Sequence, residues 1–375
     1  MNLQFQAFSA AETAGRPEWN QLATNASPMM EWEYFYCLEQ SESVKPSRGY
    51  RPRHLAAYLG GDLVALAPMY QRDRAWVEFG DGGLIELLTE ITGMPFNQGL
   101  MAGIPLTPVP GYGFLAHPEL ESGDVYTELL NYIDFMCAKG GLGTSRVYFL
   151  DRNANGLRDA LERCGYVGLK AHYLLWFNQG YTSYDHYLST FKSSRRRKIK
   201  RELRDIRDSG VEIRVFPASG AADAHFDRMY ELYRRTWYKY MSESVRPFLN
   251  LDFFRIMGRD FRHRIVFSEA TRNGETLALA IFYRKDGMLY GRYWGCYEEV
   301  PFLHFATCYY YPIQYAIEQG IACMDPGFGG MHKIYRGFEL TPVHHYLKFH
   351  GERLRKAAHS VLRQLRISED DSPVF

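Results

Sequence analysis

The stretch RHRIVFSEATRNGETLALAIFYRKDGMLYGRYWG, residues 262–295, decides the fold. Ile265–Ala270 has the apolar composition of a strand, and Asn273-Gly274 is a dipeptide that favours the left-handed backbone of a two-residue hairpin turn. Thr276–Arg284 reads as the returning strand, Asp286-Gly287 as a second turn and Met288–Gly295 as a third strand. Leu303–Gln319 then reads as a helix ended by Gly320. The apolar run Ile321–Met324, broken by Asp325-Pro326, is a fourth strand reached by a crossover. Strand, strand, strand, helix, strand is an α/β chain of the α+β type, with a mixed, largely antiparallel sheet flanked by helices.

Outward from that stretch, the first half repeats the theme. His54–Leu59 reads as a strand, Gly60-Gly61-Asp62 as a turn and Leu63–Gln71 as the returning strand. LVALAPMYQRD (63–73) aligns with TLALAIFYRKD (276–286) at Ala65/Ala278, Leu66/Leu279, Ala67/Ala280, Tyr70/Tyr283 and Asp73/Asp286. A helix over Val125–Lys139, the apolar run Arg146–Leu150, a helix over Asn153–Arg163 and a strand over Gly168–Phe177 complete the parallel order. An internal duplication is the expectation. The Gly/Pro-rich stretch 93–114 is too apolar for a linker and is expected to pack as a loop over a cleft.

A length of 375 residues suits two domains, and 46% hydrophobic with 23% charged residues excludes a disordered chain. Six cysteines without a C-x-x-C pair exclude a disulfide scaffold and a zinc ribbon. No run approaches the roughly 18 apolar residues of a membrane span. The start MNLQFQAFSAAETAG lacks the pattern of a signal peptide, so a cytoplasmic protein is expected. The expected division is 1–178, 179–349, and a C-terminal helix and tail over 350–375, with Leu354, Val361, Leu362 and Leu365 docking that helix and Ser368–Phe375 fraying.

Charge is uneven. Lys192–Asp208 holds nine Lys/Arg and three Asp/Glu, in a chain whose formal net charge is +1. Ile199, Leu203 and Ile206 fall on one helical face. The basic residues, Arg195, Arg196 and Arg197 first among them, form either a solvated surface or a grip for phosphates, as in nucleotide, RNA or acidic lipid.

Common catalytic signatures, such as G-x-S-x-G, a Walker loop or H-E-x-x-H, do not occur. The adjacent His344 and His345 point to opposite faces of an extended segment, so no metal site is expected. Two stretches carry candidate chemistry. In LYGRYWG (289–295), strict alternation puts Tyr290, Arg292 and Trp294 on one side and Tyr293 on the other. That strand is either a β face with a satisfied arginine or a cleft wall facing an anion. In MDPGFGGMHKIYRGF (324–338), Gly327, Gly329 and Gly330 precede His332, Lys333 and Arg336. Glycines and cations after a strand suit either an anion-binding loop or a flexible connector with solvated charges.

SPMMEWEYFYCLE (27–39), TPVPG (107–111), YDHYLSTFKSSRRRKIKRE (184–202), LYGRYWG, PFLHFATCYY (301–310) and the HK and RGF of the glycine loop occur together, in order. As a set they resemble the bacterial peptidoglycan biosynthesis/recognition family of the GNAT superfamily, related to Fem-type peptidyltransferases. The resemblance implies tandem GNAT-like folds and transfer of an acyl or aminoacyl group to an amine, such as that of a peptidoglycan precursor. The donor would be an acyl-CoA or an aminoacyl-tRNA, with no permanently bound cofactor. The pyrophosphate loop of ordinary GNAT enzymes is missing from the corresponding CYEEVPFLHF (296–305), which weighs against conventional acetyl-CoA binding. Within this reading His332, His304 and Tyr293 are candidate bases. Tyr290, Arg292, Trp294, the three glycines, Lys333, Arg336 and Arg195–Arg197 are candidate contacts to substrate or donor. The alternative is a binding protein for a cell-wall precursor or RNA on a fold that has lost its chemistry.

Overall fold

The computed structural model describes residues 2–73, 80–120 and 123–365. Its strands up to the basic helix are β1 (Gln4–Phe8), β2 (Arg51–Pro52), β3 (His54–Leu59), β4 (Asp62–Ala67), β5 (Met69–Arg72), β6 (Gly99–Ala102), β7 (Leu115–Ala116), β8 (Thr144–Leu150) and β9 (Val167–Phe177). After it come β10 (Glu212–Pro217), β11 (Ile265–Arg272), β12 (Glu275–Lys285), β13 (Met288–Cys296), β14 (Cys323–Asp325) and β15 (Glu339–Phe349). The chain divides into two units. The first runs to Tyr173 and resumes at Pro342; the second is Leu174–Thr341. The sequence reading divided the chain at 178/179 and kept 342–349 in the second part. The fold divides at 173/174 and gives Pro342 onward to the first, because β15 pairs antiparallel with β8 from His344↔Leu150 to Phe349↔Thr144.

In the second unit the meander forms as read. β10 pairs with β11, β11 with β12 and β12 with β13, all antiparallel, and β14 then joins β13 in parallel. Asn273 and Gly274 have φ of 54° and 81°, Asp286 and Gly287 46° and 76°, the left-handed pairs that close two-residue hairpins. The expected helix from Leu303 is interrupted: Leu303–Phe305 is α-helical, Ala306–Tyr310 is a π-helical turn and Tyr311–Glu318 is α-helical again. The basic helix spans Ser193–Asp208 and buries Ile199, Glu202 and Ile206. Ile199 and Ile206 join a core with Trp176, Phe282, Leu289, Ile313 and Phe338. Full burial of each such side chain contributes about 1.5–3 kcal/mol.

The first unit has a similar order of strands, with further pairings of β2 with β5 and β4 with β7. β1 pairs with β3, β3 with β4, β5 with β6, all antiparallel, and β6 with β8 in parallel after the helix Gly123–Gly140. One element differs from the expected strand over Leu63–Gln71. It breaks at Pro68, which has no N–H to give a ladder, into β4 and β5. The two halves join different sheets, β1-β3-β4-β7 and the one in which β2, β5, β6 and β8 are neighbours. The stretch 93–114 holds a strand that sequence reading missed, β6, followed by a largely buried loop. In the C-terminal helix (Glu352–Leu365) Val361 is buried and Leu354 half-buried. The side chains of Leu362 and Leu365, and the tail expected to fray, lie outside the described residues.

Candidate active site

β13 and β14 run side by side for three residue pairs, Met288↔Cys323 to Tyr290↔Asp325, and then part. Each strand has a reason to leave. β13 carries a bulge: Tyr293 faces Ile281 and Gly291 faces Phe282, so Arg292 has no opposite number. β14 ends at Asp325, followed by Pro326, which cannot extend the ladder. Between the parting strands opens a cavity of about 810 Å3, wholly within the second unit. Its walls are the bulged strand, the π-helical turn and the glycine loop.

The bulge corrects the expected alternation. Trp294 and Gly291 share a face with Ala280 and Phe282, whereas Tyr293 and Tyr290 share the other with Ile281 and Tyr283. Trp294 stands edge-on to His304, with ring centroids 4.8 Å apart. The Tyr293 ring packs instead against Tyr233 and Phe254, at 5.2 and 5.7 Å. Tyr290 is buried in the core.

The glycine loop needs its glycines. Gly327, Gly329 and Gly330 have φ of 86°, 76° and 85°, a region costly for side chains with a Cβ. A Cβ on Gly327 would also sit 3.2 Å from the Gly291 carbonyl oxygen, so the loop and the bulge are in close approach. Asp325 Oδ1 accepts from the Gly327 N–H at 2.7 Å, and Lys333 Nζ donates to the Gly327 carbonyl at 2.6 Å. A buried carboxylate and a buried ammonium thus grip one residue from both ends.

Burial lowers the Lys333 ammonium to a pKa of about 8, with Asp325 opposing the shift. Burial pushes His304 down to about 4, assisted by His332, Lys333 and Arg336, so its imidazole is neutral at pH 7. His332 is less deeply placed. Its pKa also falls below the ordinary value, first through burial and then through Arg336 and Lys333, and its Nε2 lies 3.2 Å from the Tyr309 hydroxyl. The site therefore holds one cation and, near pH 7, two neutral imidazoles. Cys296 and Cys308 also border the cavity, and burial raises both thiols. Among the described residues no group of three or more His, Cys, Asp or Glu is placed to hold a metal ion.

Nine residues singled out from the sequence border this cavity: Tyr293, Arg292, Trp294, His304, Gly327, Gly329, Gly330, His332 and Lys333. Five do not. Tyr290 is core. The buried Arg336 guanidinium donates to Glu202 Oε2 at 3.2 Å, to the Tyr310 hydroxyl at 2.9 Å and to the His332 carbonyl at 2.9 Å, and stacks 3.5 Å from the Phe305 ring centroid. Arg195 lies over the Tyr335 ring at 4.4 Å, Arg196 reaches the carbonyls of Ser189 and Phe191, and Arg197 is exposed.

The sequence reading missed Glu202, which also accepts from the Tyr310 hydroxyl and ties the basic helix to the glycine loop. Its signal was available: an acid at i+3 from Ile199, on the apolar stripe of an otherwise basic helix. Lys239 and Tyr240, from the helix Ala224–Tyr240, border the cavity and carried no comparable signal.

Comparison with known proteins bears on this geometry. A family model described as FemAB-like, peptidoglycan biosynthesis/recognition, matches residues 10–372. Among curated protein sequences none matches significantly. Among solved structures, FemX is similar at 11% identity and a TM-score of 0.56, over 94% of this chain and 99% of that one. L-PGS from Bacillus licheniformis is similar at 11% identity and 0.55, over 97% and 100%. The C-terminal domain of a putative lysylphosphatidylglycerol synthetase from Agrobacterium fabrum gives 10% and 0.53, over 98% and 100%. At these identities the likeness is one of fold.

Proposed function

Since the chain belongs to the FemAB-like peptidoglycan biosynthesis/recognition family, we propose that it is an N-acyltransferase that moves an aminoacyl or acyl group onto an amine at the cavity between β13 and β14. The observation that carries this reading is the parting of two parallel strands beside Lys333, His332 and His304. An amine attacking an ester or thioester must lose a proton, and the carbonyl oxygen gains negative charge.

The chain supplies groups for both events. His332, held below its ordinary pKa and open to the cavity, is neutral near pH 7 and takes the amine proton. Lys333, charged below about pH 8 and fixed on the Gly327 carbonyl, places a cation where the oxyanion forms. His304 is too weak a base for the first task. Packed between Trp294 and Tyr309, it shapes the pocket wall. Arg336 acts through position only, since Glu202 and Tyr310 hold it. The acceptor in this reading is the amine of a peptidoglycan precursor, and the donor an aminoacyl-tRNA or an unusual thioester.

The test is turnover with a panel of aminoacyl-tRNA and acyl-CoA donors and a lysine-containing precursor peptide. Product that disappears in Lys333→Met and His332→Gln, with folding intact, is expected. Donor-dependent thermal stabilisation without product would instead mark a binding protein.

A further inference from the structure

The segment after the glycines is built inside out. Met331–Arg336 forms a 3-10 helix, in which residues three apart share a face. Lys333 and Arg336, three apart, are buried, while Met331 and Ile334, also three apart, face solvent. Phe328 and Tyr335 are exposed beside them, Tyr335 at 56%. Met331, Ile334 and Tyr335 are thus exposed on an element whose cations are turned inward, and Phe328, which also borders the cavity, is exposed just before it.

The neighbouring surface is cationic. Arg195 of the basic helix lies over the Tyr335 ring, and the exposed Lys192 and Lys198 flank Arg195 at three-residue spacing. Tyr187 donates to the Arg336 carbonyl at 2.6 Å, so the segment is fixed to this part of the unit. An apolar tip with a basic skirt matches the layering of an anionic lipid surface, with phosphates outside and acyl chains beneath. A nucleic acid would answer the cations but leave Met331 and Ile334 in water. Among the described residues no helix is long and apolar enough to cross a membrane, so such a device lies on the surface.

We propose that Phe328, Met331, Ile334 and Tyr335, with Lys192, Arg195 and Lys198, form a docking surface for anionic phospholipid. Binding there needs no transfer reaction, so the inference survives or falls apart from the proposed activity.

Vesicle flotation tests it, with phosphatidylglycerol mixed equally with phosphatidylcholine against phosphatidylcholine alone. The full chain floats with the anionic vesicles only. A triple variant, Lys192→Gln, Arg195→Gln and Lys198→Gln, partitions roughly a hundredfold more weakly, at about one kcal/mol for each cation near the surface. A second triple variant, Met331→Ser, Ile334→Ser and Tyr335→Ser, loses roughly tenfold or more while its melting temperature stays unchanged. Tyr335→Trp gains fluorescence that brominated acyl chains quench when vesicles are bound. Absence of flotation by the unaltered chain, full flotation of the serine variant, or no quenching of the emission that Tyr335→Trp adds would each overturn the proposal. So would retention of single-stranded RNA, with no vesicle binding, by the unaltered chain.

Discussion

The two units part a pair of parallel strands at corresponding places, and only one gap is open. In the first unit β6 and β8 pair as far as Ala102↔Val147. The vacated seat is then taken by the chain itself: the N–H groups of Gly111 and Tyr112 both donate to the Phe149 carbonyl at 3.0 Å, and Tyr112 bridges to Leu150. What remains, bordered by Gly103–Pro108, Tyr148 and Phe149, is about 20 Å3. In the second unit β14 ends, the glycine loop swings aside, and about 810 Å3 stays open. The backbone records the difference. The filled gap holds Leu106 and Phe149 at φ of 58° and 54°, a strain that packing must hold; the open one turns its loop on Gly327, Gly329 and Gly330, although Phe302, at 65°, also lines it. A similar order of elements therefore does not carry a shared site: in the first unit the loop through Gly111 and Tyr112 occupies the gap.

Five measurements test this contrast. The largest effect is expected where the open gap is braced. Arg336→Met leaves Glu202 buried without its ion partner and destabilises the protein by about 3–5 kcal/mol in urea unfolding. Tyr112→Phe, which removes the hydroxyl bonded to the Pro68 carbonyl in the filled gap, costs about 1 kcal/mol. Equal losses would show that the two gaps are braced alike.

Lys333→Met is expected to lower kcat roughly 100- to 1000-fold, in the range for loss of one oxyanion-stabilising group. Tyr148→Phe, in the filled gap, leaves kcat unchanged. In the unaltered protein kcat/KM is expected to rise with pH through an acidic limb set by His332, below the ordinary imidazole range, and to fall near pH 8 as Lys333 loses its proton. An alkaline limb that persists in Lys333→Met would remove that lysine from the reaction.

His304 is next. Its folded pKa lies below its unfolded value of 6.5, so on acidification the unfolded chain binds the proton first. Stability should fall as pH drops from about 6.5 towards 4, by up to about 3 kcal/mol from this residue. Buried His345, lowered to about 3, adds its own share over the same range, so His304→Asn should lessen the slope by one proton's worth; an unchanged slope would show that His304 contributes nothing to it. The smallest effect is conformational. Gly329→Ala meets nothing within 4 Å, so its cost is the left-handed backbone alone, about 1–2 kcal/mol. In the filled gap Leu106→Gly relieves the same strain while losing side-chain packing, and calorimetry should find a net change within about 1 kcal/mol.

Much of this was legible in the sequence, for reasons that differ by element. Asn273-Gly274 and Asp286-Gly287 announce their hairpins because the needed backbone is local. The glycines at 327, 329 and 330 mark their loop for the same reason. The facing of Tyr290, Arg292 and Trp294 was not legible, because a bulge is a decision between two strands. Nor was the inward turn of Lys333 and Arg336. A cation in a loop reads as solvated until its partners are known, and Glu202 lies 134 residues away from Arg336. The plugging of the first gap by Gly111 and Tyr112 is equally non-local.

The most direct test is a crystal structure with an unreactive donor, a thioether analogue of acyl-CoA or an amide analogue of the aminoacyl-adenosine terminus of tRNA. Density for the acyl carbon is expected in the second unit's cavity, between Trp294 and the glycine loop and within reach of His332 and Lys333. An analogue seated against Tyr148 and Phe149 instead, with the second unit's cavity empty, would contradict it.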